Sequence, residues 1–315
     1  MNTLEETTGR SLASRFKHRF IYALIALGGR QAAYGFLYPL VGIYCLYRSV
    51  REKSRAYIER RFSPKTKSEF WKHTFRLNVM FGKTLVDRAA LGILGKSVFM
   101  TDEPARRTCE KLIKQGKGVL MLTAHVGCWQ SAVNCMEFLH TPMHVLYYRN
   151  PRDNDKTVAE HRGKQAPFTF INPAGPLGGV PEMMSALRRG EIVCAMADRV
   201  FGDPKNSVEV QFLEGTVRVP YSFYRLAAVT GAPVVVAFFP WEGRGKLSAR
   251  VCPPIYVEDR GAGKAGYQPY AQQFIDALTQ FCIKYPYQFF NYFDWWKQHA
   301  TTDDRGSKTT NCREH

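Results

Sequence analysis

The residue best placed to do chemistry is His125, in the segment Gly118-Val-Leu-Met-Leu-Thr-Ala-His125-Val-Gly127-Cys-Trp-Gln130. An apolar run delivers the imidazole to the C-terminal end of an expected buried strand, the edge where sites in open α/β sheets gather. A histidine there can take up and return a proton near neutral pH. On one regular helix His125 and Gln130 would stand about 140° apart, so the histidine must precede the helix for their side chains to meet. Gly127 allows the turn this requires. Taken alone, His125 reads equally as a core histidine or a helix cap.

Three further segments carry charge to the ends of apolar runs. Cys194-Ala-Met-Ala-Asp198-Arg199 ends in an acid and a base that face the same sheet edge as His125, as site residues or as a structural ion pair. In Val210-Gln-Phe212-Leu-Glu214-Gly215, a carboxylate sits in an expected turn from strand to helix. Glu214 there can orient an imidazole or interact with the helix N-terminus that follows. In Val145-Leu-Tyr147-Tyr148-Arg149-Asn150, with Asn154 beyond, Arg149 is a candidate anion clamp or a solvated surface cation.

The elements that must position these groups follow from hydrophobic spacing. Strands are expected at Val119–Thr123, His144–Tyr148, Phe168–Ile171, Ile192–Ala197, Val208–Phe212, Val234–Phe239 and Val251–Val257. Helices are expected at Trp129–Leu139, Asp155–Gln165, Val180–Arg189, Tyr221–Thr230 and Tyr270–Lys284, with helical spacing also across Arg51–Lys96. Alternating strands and helices argue for an α/β fold with a mixed, largely covered central sheet flanked by helices. Upstream, Phe20–Gly29 and Ala32–Tyr47 are apolar, separated by Arg30 and Gln31 and flanked by basic residues. This is a helical membrane-attachment segment by expectation: a tilted span, an interfacial or re-entrant hairpin, or a helix docked on the body. The expected organisation is residues 1–50 for attachment, 51–298 for the α/β domain and 299–315 as a polar tail.

The 315 residues carry a formal charge of +17 and are 45% hydrophobic, enough for a substantial core and a preference for anionic partners. The basic residues are spread along the chain without a nucleic-acid recognition motif, so nucleic acid is not expected as a partner. The eight cysteines form no CxxC pair and no zinc spacing with histidine, so no metal is expected, and reduced thiols point to a cytoplasm-facing domain.

Together the motifs resemble those of the bacterial lipid A biosynthesis acyltransferases, the lauroyl/myristoyl transferase family of the lysophospholipid acyltransferase group. The resemblance rests on Ala124-His125 with Gly127 and Trp129, on Tyr148-Arg149 with Asn154, on Asp198-Arg199 and on Phe212-Leu-Glu214-Gly215. The passages Leu226–Pro233 and Tyr285–Trp296 complete it. It implies transfer of a fatty acyl group from acyl carrier protein, or less often acyl-CoA, to a hydroxyl of a membrane glycolipid-like acceptor. His125 would be the general base, at the cytoplasmic face of the inner membrane and against an anionic surface, with no cofactor. Arg149, Asn154, Asp198, Arg199 and Gly127 would line the substrate site, backbone N–H groups near Gly127 or Arg199 meeting the oxyanion. The family pattern places Asp or Glu where this chain has Gln130. Glutamine can orient an imidazole but cannot stabilise imidazolium by charge. Glu214 is therefore the expected acid partner, with Asp198 next and Gln130 in a secondary orienting role. The departure leaves a second reading open, a catalytically impaired relative that binds lipid or organises a membrane assembly.

Overall fold

The apolar runs without helical spacing become strands because residues buried on both faces favour a covered, largely parallel sheet. In the computed structural model, which describes residues 12–94, 98–101, 103–132, 136, 138–148, 168–200, 203–243, 246–258, 261 and 263–297, the central sheet has seven strands. They are β1 (Val98–Thr101), β2 (Val119–Thr123), β3 (Met143–Leu146), β4 (Thr169–Ile171), β5 (Ile192–Met196), β8 (Val234–Phe238) and β9 (Lys246–Val251), in the order β1-β9-β8-β2-β5-β3-β4. All neighbours are parallel except β8 and β9. Strand side chains alternate between two cores. Leu120, Leu122, Val193, Ala195, Val234 and Val236 enter one, and Val119, Met121, Ile192, Cys194, Val235 and Ala237 enter the other. Each fully buried aliphatic side chain contributes about 1.5–3 kcal/mol, so burial on both faces holds this strand group firmly.

Helices cover both faces: α1 (Leu12–Tyr44), α2 (Arg48–Phe62), α3 (Lys67–Leu94), α4 (Glu103–Ile113), α5 (Val180–Arg188), α6 (Ser222–Thr230) and α7 (Gln268–Lys284). Their buried residues fall on single faces, as Phe274, Ile275, Leu278, Phe281 and Cys282 do on α7. A small antiparallel hairpin, β6 (Ser207–Phe212) and β7 (Gly215–Pro220), stands apart from the main sheet.

Several expectations change here. Residues 215–220 are a strand, with Val217 and Val219 buried in alternation, so Glu214 lies in a strand-to-strand turn. The expected strand Val251–Val257 is displaced. β9 ends at Val251, and beyond Pro253 and Pro254, which have no N–H to offer a ladder, only Ile255 bridges back to Val234. In place of the helix Trp129–Leu139 the described residues form 3-10 turns, one of them Trp129–Ser131. The helix expected at Asp155–Gln165 lies outside the described residues.

α1 is bent at Gly29, whose φ of 68° lies outside the helical region. Phe20 and Phe36 would be roughly 24 Å apart in a straight helix; their ring centroids are 5.1 Å apart. α1 is therefore a helical hairpin, and among the described residues no helix is long and apolar enough to cross a membrane. Its second arm packs on α3 through Ala33, Tyr34, Leu37 and Val41 against Val79, Val86 and Ala90. A buried carboxylate pins this contact. Asp87 of α3 accepts hydrogen bonds from the Tyr34 hydroxyl at 2.5 Å and the Trp241 indole N–H at 2.6 Å, and Arg30 lies 3.3 Å away.

Candidate active site

β2 and β5 are neighbours in parallel register, Thr123 opposite Met196. Continued past the last pair, that register brings Ala124 beside Ala197 and His125 beside Asp198, and the Ala197 N–H donates to the Thr123 carbonyl at 2.9 Å. The His125 ring Nδ1 lies 2.8 and 3.0 Å from the two Asp198 carboxylate oxygens, and the His125 backbone N–H donates to Oδ2 at 3.1 Å. Asp198 is 2% exposed and His125 19%, so the acid is sealed beneath a ring that solvent reaches.

The electrostatics fix the proton. Burial works to raise the Asp198 pKa. The charge and hydrogen bonds of His125, with a smaller contribution from Arg199, outweigh burial and hold the carboxyl below the usual aspartate range. An ionised carboxylate can only accept. Nδ1 therefore donates, and in the neutral ring Nε2 keeps its lone pair. This is the tautomer a general base needs, set by a hydrogen bond to the other nitrogen. No described residue hydrogen-bonds Nε2.

The turn after His125 is held along its length. Gly127 has φ +54°, and a Cβ there would strike the Phe239 carbonyl oxygen. The Val126 N–H donates to Ala124, Gly127 to Gln288 and Cys128 to Phe239, while Phe290 donates to the His125 carbonyl. The Gln288 side chain is fixed by two bonds to the Trp241 backbone, at 2.7 and 2.9 Å. Trp129 packs 5.6 Å from the imidazole and stacks on Phe81. Every N–H from His125 to Cys128 already donates inside the protein, so the Gly127 N–H, one of those expected near the oxyanion, is engaged by Gln288 instead.

The expected acid partner is replaced. Glu214 is exposed at the tip of the β6–β7 hairpin, where Leu213 and Glu214 both have positive φ, 45° and 58°, as a two-residue hairpin turn demands. Asp198 occupies the place against the imidazole that was expected first for Glu214. Gln130 is half-buried in the 3-10 turn and makes no hydrogen bond to the ring. Arg199 is exposed, its guanidinium 5.2 Å from the Phe293 ring centroid. Arg149 and Asn154 lie outside the described residues. Sequence reasoning missed the role of Gln288 and Phe290 in holding the His125 loop. Their signal is the aromatic-rich Tyr285–Trp296 passage, which the sequence leaves without a function.

The bacterial lipid A biosynthesis acyltransferase family model matches residues 107–298. Among solved structures, the 1-acyl-sn-glycerophosphate (LPA) acyltransferase PlsC from Thermotoga maritima is similar at 12% identity and a TM-score of 0.34, over 77% of this chain and 96% of that one. No curated protein matches.

Proposed function

Because this chain belongs to the bacterial lipid A biosynthesis acyltransferase family, we propose that it moves a fatty acyl group from an acyl thioester to a hydroxyl of a membrane glycolipid-like acceptor, with His125 as general base. The observation that carries this is the His125–Asp198 pair. His125 Nε2 takes the proton as the acceptor oxygen attacks the thioester carbonyl. The tetrahedral intermediate then expels the thiolate, which recovers the proton from the imidazolium. The C–O bond forms, the C–S bond breaks, and no protein nucleophile is acylated. Asp198 stabilises the imidazolium that forms between the two steps, the charge Gln130 cannot supply. Arg199, exposed beside Asp198, and the backbone N–H groups of Trp129 and Gln130 are the remaining candidates for the oxyanion.

Acyl carrier protein is the proposed donor, with acyl-CoA second; carrier proteins are acidic and this chain carries +17. The exposed apolar residues of α1 and the basic balance support attachment to the cytoplasmic face of the inner membrane. The test is incubation of the full chain with acyl carrier protein thioester and extracted membrane lipid, followed by mass spectrometry. A lipid in which one acyl group replaces a hydroxyl hydrogen is expected, with release of one thiol. A folded protein that binds lipid and releases no thiol would favour the impaired-relative reading.

A further inference from the structure

On the outer side of the α1–α3 contact lies a cleft of about 510 Å³, walled by Tyr38, Trp71, Lys72, Arg76, Lys83 and Tyr287. Lys72, Arg76, Val79 and Lys83 fall at helical spacing along one face of α3, so the three cations form a stripe rather than a scatter. Several cations elsewhere on the helices are paired: Arg55 with Glu52 and Glu59, Arg106 with Glu110, Arg107 with Glu103. Those of the cleft make no ion pair with a described carboxylate. Arg76 lies over the Tyr287 ring at 5.7 Å, and Lys83 over Tyr34, Tyr38 and Trp241 at 5.7, 5.2 and 5.2 Å. Asp87, one turn beyond Lys83, is engaged by Tyr34, Trp241 and Arg30. The cleft thus holds positive charge against aromatic walls, with the Asp87 carboxylate near Lys83 as a partial counter-charge.

Its surroundings decide what fits. Phe36, Leu40, Ile43, Tyr44 and Tyr47 are each at least 37% exposed and form one stripe along the second arm of α1 and its end, across that arm from Tyr38, which is itself 44% exposed. Trp71, 38% exposed, sits at the cleft wall. Exposed aliphatic residues beside Trp, Tyr and Lys are the composition of a bilayer interface. An acidic protein would meet the cations alone, whereas a lipid meets the cations with its phosphate and the exposed Trp71 and Tyr38 with its apolar part.

We infer that this cleft binds the phosphate of an anionic phospholipid, held between Arg76, Lys72 and Lys83, with the apolar part of the lipid against Trp71 and Tyr38. The inference deepens the membrane attachment proposed above and rests on that part alone, not on the acyl-transfer chemistry. A seated headgroup would set how the protein sits on the bilayer. Through α3, whose Phe81 stacks on Trp129, it would also set how the His125 loop faces the membrane.

The test is flotation of the full chain with vesicles of phosphatidylcholine alone or mixed with phosphatidylglycerol. Wild type is expected to bind the mixed vesicles more tightly. Replacing two cleft cations together, Lys72→Gln with Arg76→Gln, should weaken that binding about tenfold or more, because each basic residue near an anionic surface contributes substantially. Arg106→Gln with Arg107→Gln on α4 removes the same charge elsewhere and should change it less than about twofold. Lys83→Gln is a second variant that should also weaken binding, with melting temperature confirming that the fold survives the loss of its ring contacts. Equal losses in the α3 and α4 variants would overturn the cleft and leave only a general basic surface. Cleft variants that bind vesicles like wild type but lose acyl carrier protein would overturn it in favour of a protein partner. Wild type that floats with no vesicle would overturn the membrane reading itself, and the cleft with it.

Discussion

Two carboxylates follow apolar strands in this chain, and only one meets the histidine. Asp198 leaves β5, whose parallel neighbour β2 leads into His125, and the shared register sets acid and base side by side. Glu214 leaves β6, whose partner is β7 of its own hairpin, and is carried to an exposed tip. Asp198 is buried, hydrogen-bonded by a ring nitrogen and a backbone N–H, and shifted toward the charged form. Glu214 has no hydrogen bond to another described residue. The identity of the strand beside each carboxylate, more than the local sequence before it, decides which acid belongs to the site.

Replacing Asp198 should break that comparison with the largest effect. The amide introduced by Asp198→Asn can donate to Nδ1 and force the wrong tautomer, besides removing the charge. This variant should lower kcat by about 10²-fold or more, measured by thiol release. Next in size is Gly127→Ala, which drives a Cβ into the Phe239 carbonyl and places alanine at positive φ. A cost of about 1–3 kcal/mol in stability and about tenfold in kcat from a displaced loop is expected, read by denaturant unfolding and by steady-state turnover.

The fold's acid response sharpens the same contrast. A carboxyl whose pKa is depressed in the folded state stabilises the protein above its ordinary value of about 3.9. That contribution is lost as pH falls through the depressed value. Melting temperature followed into acid should therefore decline less steeply in Asp198→Asn than in wild type. The smallest effects fall on kcat: Glu214→Gln within about twofold of wild type, and Gln130→Ala slightly larger because Gln130 is half-buried near the loop. A Glu214→Gln loss exceeding that of Asp198→Asn would return the acid role to the hairpin.

Much of the sheet was legible because its strands announce themselves. β2 and β5 are continuous apolar runs, each leading within two residues to a titratable group, and β8 is wholly buried. Helices α5, α6 and α7 were legible from their periodicity. β9 was not, since Lys246, Ser248 and Arg250 interrupt it, and β7 was hidden by Gly215 at its start, Arg218 within it and its terminal Pro220. His125 could be read as the base from its strand-end position. Its partner could not, because local sequence does not encode that β5, rather than the β6–β7 hairpin, lies beside β2. The two-residue turn at Leu213-Glu214, without the Asn-Gly or Asp-Gly that usually marks such turns, concealed the hairpin that removes Glu214 from the site.

In the proposed reaction His125 takes the acceptor proton, and the most direct measurement of that step is single-turnover acyl transfer by purified His125→Ala. Melting temperature and circular dichroism verify the fold of the variant. No transfer above background is expected, with donor binding retained. Transfer at the wild-type rate by the folded variant would contradict the account.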